Sequence, residues 1–390
     1  MPYTLTVHDS INAIKADEWD NLRANDQPFS SHAFLAGLEN SGSLREELGW
    51  VPFPITLHLN EQLVGAAPAY LKNNSHGEFV FDWAWAEAHE RNQIRYYPKL
   101  LVGIPYSPVP GPRLLVGSGP QAHAHRRALV SGIAQLVEQH QLSSAHVNFL
   151  LSDDAAAFAQ DPWLIRGDVQ FHWHNRGYSD FDEFLAAMEQ KKRKNIRAER
   201  RAVAAAGVEI KILHGDQIDT ALWDQLHALY CRTFDQKHNT PALTRGFFEH
   251  MGATLGGGIV AVTAWKQDRM IAMALCLRDR DTLYGRYWGC LEEIRGLHFE
   301  CCYYQGIAYC LREGIEHFQP GAQGEHKLAR GFLPVATRSA HFIRLPPFRQ
   351  AIRVAINSEH VGLAKYRKEL LERSPFKSDP PEAESTGSSA

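Results

Sequence analysis

The sequence predicts an α/β (α+β) protein made of two tandem units, each a mixed sheet with an antiparallel meander and flanking helices. Three observations predict it. Apolar runs of strand length alternate with helical patterns along the whole chain. The order strand, helices, three-strand meander, helix, strand occurs in the first half and again in the second. Short similar segments recur at nearly the same offset, though identity is low and the order of elements carries the inference: Trp19-Asp20-x-Leu22 matches Trp223-Asp224-x-Leu226, and Leu63-Val-Gly-Ala-Ala67 matches Met270-Ile-Ala-Met-Ala274.

In chain order, Tyr3–Val7 alternates like a strand, Ala16–Leu22 starts a helix, and Ser31–Glu39 forms a second. Ile55–Leu59, Leu63–Leu71 and Glu78–Trp83 read as a meander with turns at Asn60-Glu61 and Asn73–Gly77. A Pro- and Tyr-rich connection (Tyr96–Pro112) leads to a helix at His123–Gln139 and a strand at Ala145–Leu150. The second half repeats this: strand Val208–Leu213, helices Ala221–Phe234 and Thr244–Met251, then strands Ile259–Trp265, Met270–Leu277 and Thr282–Trp288. A helix at His298–Phe318 and a strand near Ala322–Glu325 complete the second set. Ala336–Ile343 reads as a further strand and Pro346–Leu371 as a helix. The expected domains are 1–165, 166–373 and a disordered Pro-, Ser- and Glu-rich tail at 374–390.

With 390 residues, 44% of them hydrophobic, the chain suffices for two cores, and its formal charge of −3 gives no overall pull towards nucleic acid or membrane. The N-terminus has no basic flank followed by an apolar run, and the densest apolar stretch, Met270–Leu277, falls far short of the ~20 residues that span a bilayer. A soluble cytoplasmic protein with no membrane span is expected. The six cysteines have no Cys-x-x-Cys spacing and read as small buried side chains. The pairs His123/His125 and His172/His174 lack third and fourth ligands, so no metal is expected.

Between the halves, Ser179 with Asp182 marks the start of an amphipathic helix. A basic helix follows at 189–206, and seven of the eleven residues from Lys191 to Arg201 are Lys or Arg. At 100° per residue Ile196 and Val203 share its buried edge, Arg193 and Arg200 flank that edge, and Lys191 and Lys194 face solvent. Arg193 is a candidate phosphate or substrate anchor; the plainer alternative is a solvated charged face.

The most concentrated chemistry lies between Thr282 and Pro334. Tyr284-Gly-Arg-Tyr-Trp-Gly289 and His298-Phe-Glu300 lead to Gly324-Glu-His-Lys-Leu-Ala-Arg-Gly-Phe332, where an acid, an imidazole, an amine and a guanidinium sit between two glycines. Such a group suits proton transfer combined with stabilisation of a developing negative charge. No Gly-x-Ser-x-Gly elbow, P-loop or dinucleotide fingerprint is present.

Several stretches resemble the FemAB-like family of peptidoglycan biosynthesis/recognition proteins and predicted N-acyltransferases. They include Phe29–Leu35, Gly65–Lys72, Gly77–Trp85, Tyr97-Pro-Lys-Leu100, Gly111–Leu115, Lys191–Arg197, Gly285–Gly289, Leu297–Glu300 and Gly321–Pro334, spanning about Phe29 to Arg353. The resemblance implies tandem GNAT-like acyltransferase domains, a fold whose element order agrees with the repeat. It implies transfer of an acyl or aminoacyl group to an amine, as in the more distant FemABX relatives, which use aminoacyl-tRNA on a peptidoglycan precursor. Lys327 matches a basic residue of those relatives' motif, with Arg330-Gly331-Phe332 in its glycine-aromatic part and His326 where they carry an aromatic ring. Cys290–His298, where GNAT enzymes carry a glycine-rich pyrophosphate loop, holds a single glycine.

Acyl transfer to an amine needs a base for the ammonium proton, worth roughly 10²–10⁴-fold, and a cation for the oxyanion, worth about 3 kcal/mol. The expected catalytic group is Lys327, Glu325, Glu300 and Arg286, with Lys327 and Arg286 electrostatic and the base drawn from Glu300, Glu325 or His326. Substrate contacts are expected from Arg193, Arg330, His326, His298, Tyr287, Tyr303, Trp83 and Lys99. No tightly bound cofactor is expected. The donor is aminoacyl-tRNA, docked through the basic helix 191–201, or acyl-CoA, and the acceptor is a peptidoglycan precursor or another small molecule. The competing class is a binding module for a cell-wall precursor or RNA, without turnover.

Overall fold

The structure, a computed structural model, describes residues 3–236, 239–321 and 324–377. Chain contacts divide it into two compact units. Of the described residues, the first takes those up to Val169 together with Ala336–Tyr366, and the second takes Gln170–Val335 and 367–377. The sequence reading placed 336–366 in the second unit instead. In the structure Phe342, Ile343, Ile352 and Ile356 join cores made by first-unit residues such as Ile133, Trp85 and Leu164. Local sequence carries no signal for which sheet a strand will join.

In the first unit, β1 (Tyr3–Val7), β3 (Ile55–Leu59) and β4 (Gln62–Ala67) form an antiparallel sheet in the order β1-β3-β4. Asn60 and Glu61 both have positive φ, 50° and 66°, the two-residue turn that matches strand twist. A second sheet runs β2 (Trp50–Pro52), β5 (Ala69–Lys72), β6 (Lys99–Val102), β7 (Ser144–Val147) and β14 (Leu333–Ile343). β6 and β7 are parallel. Their crossover is the helix Ala122–Gln139, which buries Leu129, Ile133 and Val137.

Two expected strands are corrected here. Leu63–Leu71 is split at Pro68, which has no N–H to give a ladder, into β4 and β5. Glu78–Trp83 is not a strand: Gly77 and Phe79 have positive φ, and Trp83 starts a helix to Arg91. β5 pairs instead with β6, inside the stretch read as a connection.

The second unit carries the end of β8 (Leu164–His174), then β9 (Glu209–His214), β10 (Ile259–Lys266), β11 (Arg269–Arg278), β12 (Thr282–Cys290) and β13 (His317–Gln319), in the order β8-β13-β12-β11-β10-β9. β9 to β12 form an antiparallel run, with Gln267 and Asp268 in a positive-φ turn. Alternation along β12 sends Tyr287 against Tyr230 and Phe248, while Trp288 meets His298 at 5.2 Å. Gly289 lies against the carbonyl of Leu229, where a Cβ would sit 2.0 Å from the oxygen.

The basic helix spans Gln190–Ala205, with Ile196 and Val203 each 2% exposed. Asp180, rather than Ser179, caps the preceding helix. The helix expected at 298–318 has three parts: Leu297–Phe299, a π-helical turn at Glu300–Tyr304 and Gln305–Glu313, closed by Gly314 at φ 69°. The strand expected at 322–325 is corrected: Ala322 and Gln323 lie outside the described residues, Glu325 opens a 3₁₀ turn to Arg330, and the described strand is β13. The disordered tail expected at 374–390 is corrected at its start, where Phe376 is buried and bridged to Met188 and the Pro375 carbonyl accepts from the Glu189 N–H; the residues beyond Lys377 lie outside the described ones.

The six cysteines are free, and no acid, His or Cys group suited to a metal occurs among the described residues. No helix among the described residues is long and apolar enough to cross a membrane.

Candidate active site

In the second unit, Gly324 (φ 118°) and Gly331 (φ 93°) bracket the 3₁₀ turn Glu325–Arg330, and the turn buries Lys327 and Leu328. Lys327 is 2% exposed. Its Nζ donates to the Gly321 carbonyl at 2.6 Å. Burial draws its pKa down from 10.5 to about 8, against a smaller upward pull from the Cys302 thiol. An ammonium desolvated this way gives up its proton near neutral pH and, while charged, exerts a field that water does not screen.

Beside this turn stand rings from the helical turn Leu297–Phe299 and the π-helical segment that follows it. His326 Nε2 and the Tyr303 hydroxyl lie 2.8 Å apart. The His298 ring is 5.4 Å from Tyr303 and 6.2 Å from His326, and Phe299 stacks on Tyr303 at 6.0 Å. Burial, then the charges of Arg330 and Lys327, lower the His326 pKa, so at neutral pH its ring can accept a proton. Arg330 lies 3.3 Å over the Phe299 ring and donates to Glu199 at 2.8 Å, to the Tyr304 hydroxyl at 3.0 Å and to the His326 carbonyl at 2.8 Å. Its guanidinium thus holds the turn to the helix Gln190–Ala205.

The other expected catalytic residues do not share a hydrogen bond with Lys327. Glu300 is buried, accepts from Arg200 at 3.2 Å and from Gln305 at 2.6 Å, and is thereby held as a structural carboxylate. Glu325 is exposed and paired with Arg373 at 3.3 Å. With three residues per turn, positions 325 and 327 project in different directions. A polar cavity of about 300 Å³ lies on Glu325's side, lined also by Glu189, Lys192 and Arg373. Arg286 lies beside Tyr287, 5.6 Å from its ring, and burial lowers its pKa. Arg193 donates to the Met188 carbonyl at 3.2 Å, which ties it to its own chain, while Lys191 and Lys194 are exposed. The structure gathers His326, Tyr303, His298 and Arg330 around the turn that buries Lys327, and leaves Glu300, Glu325, Arg286, Tyr287 and Arg193 in separate settings.

In the first unit, Trp83 is exposed and lies 5.0 Å from the His76 ring. Lys99 is fully buried, and its three donors are spent on Ser75 Oγ at 2.8 Å, Glu78 Oε2 at 2.9 Å and Asp82 Oδ2. Its expected role as a substrate contact is corrected to that of a buried counter-ion. Burial raises the Glu78 pKa to about 7. Burial also acts to raise that of Asp82, but Lys99 and then His146 overcome it and hold Asp82 ionised. Sequence reasoning missed these carboxylates, and it missed His146 and His341 on the facing strands β7 and β14. One signal was available: Ser144-Ala-His146 and Ser339-Ala-His341 repeat the same tripeptide in strand-like surroundings.

A family model described as FemAB-like, peptidoglycan biosynthesis/recognition, matches residues 10–378. Among solved structures, FemX aligns with a TM-score of 0.52 at 11% identity over 90% of this chain and 100% of its own. L-PGS from Bacillus licheniformis aligns with a TM-score of 0.50 at 8% identity, over 91% of this chain and 99% of its own. A tandem GNAT protein from the clavulanic acid biosynthesis pathway aligns with a TM-score of 0.46 at 12% identity, over 88% and 99%. No curated protein matches the chain. At these identities the likeness to FemX and L-PGS is one of fold alone, mixed sheet with flanking helices. The match across nearly the whole sequence places the chain in the FemAB-like family of peptidoglycan biosynthesis/recognition proteins.

Proposed function

We propose that this chain is an N-acyltransferase that moves an acyl or aminoacyl group to the amine of a peptidoglycan precursor or a related metabolite, with the chemistry in the second unit. The observation that carries this reading is the buried Lys327 ammonium, whose charge is felt by the neighbouring His326, a neutral imidazole bonded to Tyr303. Lys327 faces the oxyanion or a donor phosphate, an interaction worth about 3 kcal/mol in a preorganised site. Of the three candidate bases, His326 suits the proton step, because Glu300 and Glu325 are held in ion pairs with Arg200 and Arg373. Tyr303 orients the imidazole through its hydroxyl. The donor is aminoacyl-tRNA, approached through exposed Lys191 and Lys194, or an acyl-CoA. Either donor pool places the protein in the cytoplasm.

One observation favours a second reading, a binding module without turnover: the carboxylates expected to act with Lys327 are engaged elsewhere. A transfer assay separates the two. The protein is incubated with aminoacyl-tRNA or acyl-CoA and a panel of amine acceptors, including UDP-linked muropeptides, and products are identified by mass spectrometry. Acylated amine that falls at least ~100-fold in Lys327→Ala supports the transferase. Acceptor binding by thermal shift with no product from either donor supports the binding module.

A further inference from the structure

The first unit contains a hydrogen-bonded relay that the chemistry proposed for the second unit does not use. β7 and β14 are antiparallel, and their register sets His146 directly opposite His341. The two rings meet through their Nδ1 atoms at 2.7 Å. On one side, Ser339 Oγ lies 2.9 Å from His341 Nε2. On the other, His146 Nε2 lies 2.7 Å from Ser144 Oγ, 3.3 Å from the Tyr96 hydroxyl and 3.8 Å from Asp82 Oδ2. Ser339, itself buried at 5% exposed, is the end of this relay that borders a cavity. It lines a cavity of about 360 Å³ whose walls include Phe81, Phe149, Arg166, Arg338 and Leu363.

We propose that Ser339 is a nucleophile activated by His341, and that the first-unit cavity takes an activated acyl ester or thioester. The tautomers follow from the hydrogen-bond partners. Tyr96 donates to Asp82 at 2.6 Å, and the ionised Asp82 carboxylate near His146 Nε2 favours a proton on that nitrogen. His146 Nδ1 is then the acceptor, His341 Nδ1 carries the proton between the rings, and His341 Nε2 presents its lone pair to the Ser339 hydroxyl. This arrangement has the logic of a hydroxyl, a base and a group that orients the base. Both imidazoles are neutral at physiological pH: burial, then Lys99, lowers His146 to about 3, and burial, then His146, holds His341 well below its usual value.

In the reaction, Ser339 Oγ bonds to the acyl carbon, the bond from that carbon to the alcohol or thiol breaks, and the Ser339 proton passes to His341 Nε2 and on to the leaving group. Asp82 is positioned to compensate the imidazolium charge while it exists. Trp85 stands edge-on to His341 at 4.9 Å and stacks on His146 at 6.0 Å, which keeps water off the rings. Phe81, Phe149 and Leu363 suit an apolar acyl chain, with Arg338 beside it for an anionic group at its end, while Arg166 is held by Glu359 and the Phe81 carbonyl.

The test uses the full chain and a fluorophosphonate, which bonds phosphorus to a nucleophilic serine oxygen with loss of fluoride. Peptides are mapped by mass spectrometry after treatment of native and urea-unfolded protein. The expected result is an adduct on Ser339 in native protein only, formed at the same rate in Lys327→Ala. A folded His341→Gln variant is expected to label at least ~100-fold more slowly. Absence of the Ser339 adduct from native wild-type protein, or equal labelling of native and unfolded chains, overturns the proposal without reference to any variant. Because Lys327→Ala leaves the labelling intact, failure here and failure of the second-unit chemistry are read separately.

Discussion

The guanidinium carbon of Arg330 lies over Phe299, 3.3 Å from the ring centroid, and from that position the side chain reaches Glu199, Tyr304 and the carbonyl of His326. One planar side chain thus joins the 3₁₀ turn, the π-helical segment and the basic helix of the second unit. A guanidinium forms this fork and stack; an ammonium does not. Arg330→Lys is expected to lower unfolding stability by about 1–3 kcal/mol. Urea titration checks this, and an unchanged midpoint would show that the fork is dispensable.

Lys327 gives a pH signature. Its folded pKa, about 8, is below the unfolded value of 10.5, so the unfolded chain binds more protons between those two values. Stability contributed by this group therefore rises as pH increases from about 8 to 10.5, and below pH 8 the full penalty of burying the charge is present. Lys327→Met, which does not titrate, is expected to be more stable than wild type at pH 7 by about 1–3 kcal/mol, with the gap closing by pH 10.5. Denaturant midpoints of both proteins at the two pH values decide it.

The Lys99 cluster has the opposite dependence. Removing the only cation within hydrogen-bonding distance of Glu78 and Asp82 among the described residues leaves two buried carboxylates opposed. Lys99→Met is expected to cost about 3–5 kcal/mol at pH 7. In that variant both carboxyls have folded pKa values above their unfolded ones, so stability is regained as pH falls. Adding Asp82→Asn to Lys99→Met should recover part of the loss. Thermal melts at pH 5 and pH 7 provide the check, and a loss independent of pH would point to packing instead of charge.

Gly289 is a position where a single methyl group is excluded, because its Cβ would lie 2.0 Å from the Leu229 carbonyl oxygen. The neighbour is helix backbone, which cannot move aside as a side-chain tip can. Gly289→Ala is expected to destabilise the protein by roughly 1–3 kcal/mol or more. Circular dichroism during thermal unfolding measures the shift, and a wild-type midpoint would refute the close packing of that helix on β12.

Much of the local structure was legible in the sequence. The meander of the second unit follows from alternation with turns at Gln267-Asp268 and Asp279–Asp281, and the basic helix follows from Ile196 and Val203 on one edge. Gly324 and Gly331 marked the turn that carries Lys327. These features depend on periodicity and backbone sterics, which act over a few residues. The partners of Glu300, Glu325, Lys99 and His146 were not legible, because ion pairs and cross-strand contacts are set by register and burial between distant segments. Pairing of β7 with β14 brought two Ser-Ala-His segments 195 residues apart into one relay. By itself the sequence determined the tandem α/β units and a chemically dense turn around Lys327. Only the tertiary structure decided which charged groups remained open for chemistry, since burial makes each of them costly unless paired and thereby selects its partners.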